Sequence, residues 1–315
     1  MKRNIVIGPP GTGKTTFLKD KVDKLINDGH CKPDEIGYFS FTVKAAEEIR
    51  DRVTNEEWSE AELKKLFPYF CTLHSLAYKR LQLQQSQIMD QSDYDDLSRN
   101  TGRFFVNKMK KGNGMDISMP TAKSEYQDLI NLAYAKFPDD DDRLNQIFRT
   151  VKLSDYGARN TIEQMDLDLK NFKRDRDKLE YVDYFNHFLQ RKNPPPLKYL
   201  FVDEAQDLSA HQWQVIDMIQ EVAKPIETYV AGDDDQAIFR WAGADIEHFI
   251  AMAKNDDNTI IPLTQSYRIP KSVHTIATKL AQSISRRIDK SYKPRDEEGE
   301  RKVLNIRPLN KGLAE

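Results

Sequence analysis

The first eighty residues alternate short, unbroken apolar runs with stretches whose apolar positions recur every three to four residues. That is the pattern of strands joined through helices in an open parallel sheet. Asn4 to Ile7 reads as a buried strand. Residues 14 to 28 read as a helix with Phe17, Leu18, Val22, Leu25 and Ile26 on one face, stopped by Gly29. Ile36 to Phe41 is predicted as a second strand and Lys44 to Val53 as a second helix. A short strand at Tyr69 to Thr72 then runs into a helix through Leu83. From about 85 to 180 the strand signal almost vanishes. Helical stretches such as Tyr126 to Phe137 and Arg159 to Phe172 are broken there by Gly112, Gly114 and the acidic turn Asp139 to Asp142. A helical block inside an alternating pattern reads as an inserted domain. The Pro194-Pro195-Pro196 run marks a rigid return from it. Alternation resumes with strands at Tyr199 to Val202, Thr228 to Ala231 and Ile260 to Leu263, with a helix through Trp213.

Composition narrows the class. A chain of 315 residues has room for two or three cores, and 39% hydrophobic content is too high for a disordered polypeptide. No apolar run approaches the ~18 residues of a membrane span, and MKRNIVIG is too weakly apolar for a secretory signal. No membrane partner is therefore expected. Cys31 and Cys71 make neither a disulfide framework nor a zinc spacing, which fits a reducing, cytoplasmic setting. The net charge of −2 argues against a globally basic nucleic-acid binder but leaves room for a locally basic groove.

Residues 8 to 15 read GPPGTGKT, between the first predicted strand and the first predicted helix. This is the G-x-x-x-x-G-K-[ST] phosphate loop in its required context. Gly8, Pro9, Pro10, Gly11, Thr12 and Gly13 form the turn, in which the glycines let backbone N–H groups face phosphate oxygens. The helix that follows directs its positive end at the same anion. Lys14 supplies a mobile cation for the β- and γ-phosphates, and Thr15 a hydroxyl for Mg²⁺.

Downstream, LKYLFVDEAQD is an apolar strand ending in Asp203 and Glu204. Parallel sheets present functional groups at such strand ends. Asp203 is placed to reach the Mg²⁺ held by Thr15, and Glu204 to take a proton from a water attacking the γ-phosphate. The plainer reading of a DE pair is a solvated helix cap, which the preceding phosphate loop outweighs. The reaction class is nucleoside triphosphate hydrolysis.

Further motifs follow in a fixed order. FTVKAAEEIRDRV (41–53) and CTLHSLAYKRL (71–81) lie between the phosphate loop and the helical block. VDEAQD, AGDDDQAIFRWAGA (231–244) and LTQSYR (263–268) lie after it. Together these motifs resemble the UvrD/Rep/PcrA group of superfamily 1 DNA helicases. The resemblance implies an α/β fold: a RecA-like P-loop NTPase domain with a parallel sheet at 1–84 and 181–262, an inserted helical accessory domain at 85–180, and the start of a second RecA-like domain at 263–315. It implies ATP and Mg²⁺ as cofactors. The implied partner is single-stranded DNA, with duplex junctions, and the implied activity is 3′ to 5′ translocation. Gln236 matches the residue that senses the γ-phosphate, Arg268 the arginine that reaches it from the second domain, and Tyr267 the tyrosine that stacks on the base. Phe41, Thr72, His74, Phe239 and Trp241 match the single-strand path, where aromatic faces grip any base, and Lys44 adds phosphate attraction. Phe41 and Phe239 also suit a core, and His74 suits a buried hydrogen bond. An indole in the polar turn RWAG has less structural reason. By composition alone the DDD run at 233–235 suggests a metal site, but its place in the family motif points away from that.

Departures from the family pattern matter. Thr16 stands where the family has an arginine directly after GKT, and the adenine-reading glutamine segment upstream of the phosphate loop is not in this sequence. Both departures weaken the case for strict adenine selectivity and leave Tyr267 as the remaining base contact. Ala242 replaces the arginine after the motif tryptophan, which weakens one strand contact. Only 47 residues follow Arg268, with a predicted helix at Pro270 to Arg286 and a strand at Lys302 to Ile306. The expectation is the front half of a motor that binds strand without unwinding. Two rivals stay open: an RNA helicase, since stacking does not read the sugar, and an ATP-gated binding module that completes no translocation cycle.

Overall fold

The structure is a computed structural model that describes residues 2–53, 59–107, 109–110, 114–115 and 124–300. The chain opens with β1 (Asn4–Ile7), whose NIVI run feeds the glycine loop and then α1 (Lys14–Asn27). β2 (Ile36–Phe39) is followed by α2 (Val43–Val53), α3 (Glu60–Leu66), β3 (Phe70–Cys71) and α4 (Leu73–Leu81). β2 ends two residues earlier than its apolar run predicts, because Thr42 caps α2: its hydroxyl accepts from the Ala45 N–H at 3.2 Å. Phe41 is thereby left on the loop between strand and helix.

The central block holds α5 (Gln91–Thr101), the two-residue antiparallel pair β4 (Met109–Lys110) and β5 (Gly114–Met115), α6 (Glu125–Lys136), α7 (Arg143–Thr150), α8 (Tyr156–Arg176) and α9 (Tyr181–Arg191). α5 starts at a reciprocal cap in which Asp90 accepts from the Asp93 N–H at 3.1 Å and Asp93 accepts from the Asp90 N–H at 3.0 Å. Beyond the prolines come β6 (Tyr199–Val202), α10 (Ala210–Ala223), β7 (Glu227–Gly232), α11 (Ile246–Ala253), β8 (Thr259–Pro262) and α12 (Lys271–Gln282). α12 stops four residues before the predicted Arg286. The strand predicted at Lys302 to Ile306 lies outside the described residues.

Six strands form one parallel sheet in the order β3-β2-β6-β7-β1-β8. Over β1, β2, β3, β6 and β7 both faces are buried, which is why those strands are continuously apolar, whereas the edge strand β8 alternates half-buried and exposed positions. Ile5, Ile7, Leu200, Val202 and Val230 face a core shared with Trp213 and Phe249. Val6, Tyr38, Phe201, Tyr229 and Ala231 face the opposite core with Leu18 and Val22 of α1. A third core, with Tyr94, Leu97, Ile130, Phe148, Ile162 and Leu169, is built wholly from the helical block. α9 packs with α4 and α10, and its Tyr184, Phe185 and Phe188 belong to the first core. No helix among the described residues is long and apolar enough to cross a membrane.

Candidate nucleotide site and strand surface

Because every strand of the sheet runs the same way, their C-terminal ends collect on one edge. Four of those ends carry the segments singled out above: the glycine loop after β1, Asp203 and Glu204 after β6, residues 233–236 after β7, and residues 263–268 after β8.

The glycine loop is held from inside. The Thr12 hydroxyl donates to the Pro9 carbonyl at 2.8 Å, and Lys14 Nζ donates to the Gly8 carbonyl at 3.0 Å. Gly11 has φ 72° and Gly13 has φ 83°, the left-handed region that a side chain enters only with strain. A Cβ on Gly11 would also lie 2.3 Å from Cβ of Arg268. That close approach is stitched by backbone. Tyr267 N–H donates to the Gly11 carbonyl at 2.9 Å, and the Ser266 hydroxyl donates to the Pro10 carbonyl at 2.8 Å. The segment bearing Tyr267 and Arg268 thus sits directly on the phosphate loop, with Tyr267 75% exposed and Arg268 also exposed. Thr16 is exposed on the first turn of α1.

Thr15 Oγ1 donates to Asp203 Oδ2 at 2.8 Å, across 188 residues of sequence. The Tyr38 hydroxyl donates to the same oxygen at 2.9 Å. Burial and then the neighbouring Glu204 push the Asp203 carboxyl above its ordinary range, while the Thr15 and Tyr38 hydrogen bonds oppose that rise. Glu204 adopts φ 52°, ψ 45°, an unusual left-handed backbone for a residue with a side chain and a strain of roughly 1–2 kcal/mol. Its Oε2 accepts from Gln206 Nε2 at 3.0 Å, and Gln206 Oε1 accepts from the Asp233 N–H at 3.0 Å. Gln236 is joined to the same group, its amide donating to Asp233 Oδ2. Burial, and after it the Glu204 charge, raises the Asp207 carboxyl to about 7.

The sheet edge therefore brings together Lys14, Thr15, Asp203, Glu204, Gln236 and Arg268. Tyr38, Gln206, Asp207 and Ser266 went unassigned in the sequence reading. Gln206 and Asp207 lie in the VDEAQD motif and Ser266 in LTQSYR, so motif membership could have flagged them. Nothing local marks Tyr38, because in a buried strand an aromatic reads as core.

The strand-path candidates divide. Phe41 stacks on Phe239 with centroids 5.4 Å apart, and Phe239 lies 6.3 Å from Trp241, which is 39% exposed. Lys44 is exposed in the first turn of α2. These four make an aromatic row with a cation near one end. Thr72 and His74 are engaged elsewhere. Thr72 is buried, and its hydroxyl accepts from the Ser75 N–H at 3.2 Å as the cap of α4. The His74 ring stacks on Tyr181 at 3.3 Å and lies 3.9 Å from Phe185. Burial, and then His211, holds its pKa well below the ordinary value.

The sheet order, the glycine loop and the acidic strand end define a RecA-like P-loop fold. The sequence profile of the UvrD/REP helicase N-terminal domain matches residues 1–257, and the chain belongs to that family. It is 27% identical to a probable DNA helicase of Mycoplasma pneumoniae over 299 residues, covering 90% of this chain and 54% of that protein. Over 311 residues it is 25% identical to the ATP-dependent DNA helicase PcrA of Staphylococcus aureus, covering 94% of this chain and 40% of PcrA. The chain thus spans about half or less of the length of these relatives.

Proposed function

We propose that this chain is the ATP-binding and single-strand-binding front part of an ATP-dependent DNA helicase or translocase, moving 3′ to 5′. The observation that carries the reading is the 2.8 Å contact of Thr15 with Asp203 at the glycine loop, with Arg268 docked on the same loop. Gly8 to Thr16 cradle the triphosphate, Lys14 meets its terminal phosphates, and exposed Tyr267 offers a face to the base. Thr15 and Asp203 are a hydroxyl and a carboxylate, the hard oxygen donors that Mg²⁺ takes alongside water. When bound there, Mg²⁺ would draw charge from the phosphate oxygens. Glu204 accepts the proton of the attacking water, Gln236 contacts the γ-phosphate, and Arg268 offsets the charge that develops on it. Phe41, Phe239 and Trp241 stack on bases of a single strand and Lys44 attracts its phosphates. Thr72 and His74 contribute by fixing α4 rather than by stacking.

The domain reading is part of the proposal: 1–84 with 181–262 as the first RecA-like domain, 85–180 as the insertion, and 263–315 as the start of a second. Its support is the separate helical core and the run of sheet strands ending at Pro262. A cytoplasmic setting accords with Cys31 and Cys71 both being free and buried.

ATP turnover by the parent and by Glu204→Gln, with and without single-stranded DNA or RNA, tests the reading. DNA should stimulate the parent, and the variant should keep nucleotide binding while losing roughly 10²–10⁴-fold in rate. Turnover at the parental rate in the variant would place the base elsewhere. Equal stimulation by RNA would overturn the DNA preference. Binding without any turnover in the parent would favour a gated binding module.

A further inference from the structure

The acidic run Asp233-Asp234-Asp235 is closed over by a segment that follows α12. Lys290 is inserted among all three carboxylates, its Nζ 3.0 Å from Asp233 Oδ1, 3.0 Å from Asp235 Oδ2, and paired with Asp234 Oδ1. The lysine side chain is 7% exposed and that of Asp233 is fully buried. Arg287 makes two hydrogen bonds to Asp235, at 2.9 and 2.8 Å, and the Ile288 N–H donates to Asp234 Oδ2 at 2.7 Å. Among the described residues these three carboxylates share two paired cations, and Lys290 is the ion-pair partner of Asp233, with Lys14 acting on it from farther away.

We propose that Lys290 is a positioning residue for the hydrolytic centre, acting by fixing Asp233, which in turn orients Gln236 and, through Gln206, Glu204. The proposal rests on the nucleotide reading above. The path is continuous. One oxygen of Asp233 meets Lys290 and the other accepts the Gln236 amide. The Asp233 N–H holds Gln206 Oε1 at 3.0 Å, and Gln206 Nε2 holds Glu204 Oε2 at 3.0 Å. A buried carboxylate stripped of its cation must either take up a proton or turn toward water, and both change the acceptor that Gln236 sees. Burial pulls the Lys290 ammonium down, but Asp233 and Asp234 outweigh it and hold the pKa above its usual value, so the lysine stays charged.

The same segment also grips the Arg268 loop. The Lys293 N–H donates to the Thr264 carbonyl at 2.7 Å, and the Ser266 N–H donates to the Lys293 carbonyl at 2.8 Å. Residues 287–293 therefore tie the turn bearing Gln236 to the loop bearing Arg268.

The test compares Lys290→Met and Lys290→Arg with the parent chain by two readouts. One is the side-chain amide resonance of Gln236, identified by its loss in Gln236→Glu. The other is the split of kcat from the affinity for a non-hydrolysable ATP analogue. Lys290→Met should keep analogue affinity within about threefold, lower kcat at least tenfold, and move the Gln236 amide toward its free position. Lys290→Arg should restore most of both. If Lys290→Met fails to fold, Asp234→Asn with Lys290→Met removes one buried negative charge while leaving Asp233 without its cation, and the same losses are expected. An unmoved amide, an unchanged kcat, loss of affinity in step with kcat, or failure of the double variant to fold would each overturn the proposal. A parent without turnover would sink the helicase reading alone, because the amide readout needs no hydrolysis.

Discussion

Tyr38→Phe isolates one atom at the centre of the site. The Tyr38 ring stacks on Phe70 at 5.5 Å and on Phe201 at 6.2 Å, so phenylalanine keeps the packing and removes only the hydroxyl. That hydroxyl donates at 2.9 Å to Asp203 Oδ2, on a residue only 3% exposed. A hydrogen bond to a charged acceptor contributes about 1.5–3 kcal/mol. Phenylalanine spares the burial of a hydroxyl, worth roughly 1 kcal/mol. The net loss should be about 0.5–2 kcal/mol, read as a lower urea midpoint at unchanged slope.

The pH dependence has a definite sign. Burial and Glu204 raise the Asp203 pKa in the folded state, so over that window the native state holds a proton the unfolded chain has released. Stability from this group therefore falls as pH rises through the window. Tyr38 opposes the shift by favouring the ionised carboxylate, so its removal raises the folded pKa further and steepens the fall. The penalty should be largest near pH 8 and shrink on acidification. A double-mutant cycle with Asp203→Asn should return most of it as coupling. A loss under about 0.5 kcal/mol at pH 8, or one equal at both ends of the range, would refute this reasoning.

Three further outcomes are expected. Lys14→Ala should weaken triphosphate binding by about 1.5–3 kcal/mol, roughly 10- to 100-fold, in calorimetric titration with the circular dichroism unchanged; parental affinity would remove Lys14 from the phosphate site. Trp241→Ala should cost ~1–3 kcal/mol of single-strand binding by fluorescence anisotropy, with binding that weakens as salt rises. If the variant binds oligonucleotide like the parent, the indole is not in the strand path. Lys224 ends α10 at φ 50°, ψ 57° and is exposed, so Lys224→Gly should relieve left-handed strain and raise stability by roughly 0.5–1 kcal/mol; a lower denaturation midpoint would contradict it.

What the sequence determined by itself is what contiguous residues encode. β1 and β6 fall at their predicted bounds, Asn4–Ile7 and Tyr199–Val202, because an apolar run flanked by polar residues marks a strand buried on both faces. The glycine loop is legible for the same reason: its eight residues carry their own turn geometry. Shorter helices such as α5, α7 and α11 were not singled out, being 8 to 11 residues long and too brief for their periodicity to stand above the surrounding chain. Tertiary structure alone decided which distant side chains meet. Thr15 and Tyr38 reach Asp203 from 188 and 165 residues away, and Phe41 meets Phe239 from the far part of the chain. It also turned Thr72 and His74 inward and set Lys290 against the acidic run. Those pairings follow from the sheet order β3-β2-β6-β7-β1-β8, which places β6 beside β2 and β7 beside β1. Strand order is chosen by how whole layers bury their apolar faces against one another, a sum over the entire core that no local run of residues records.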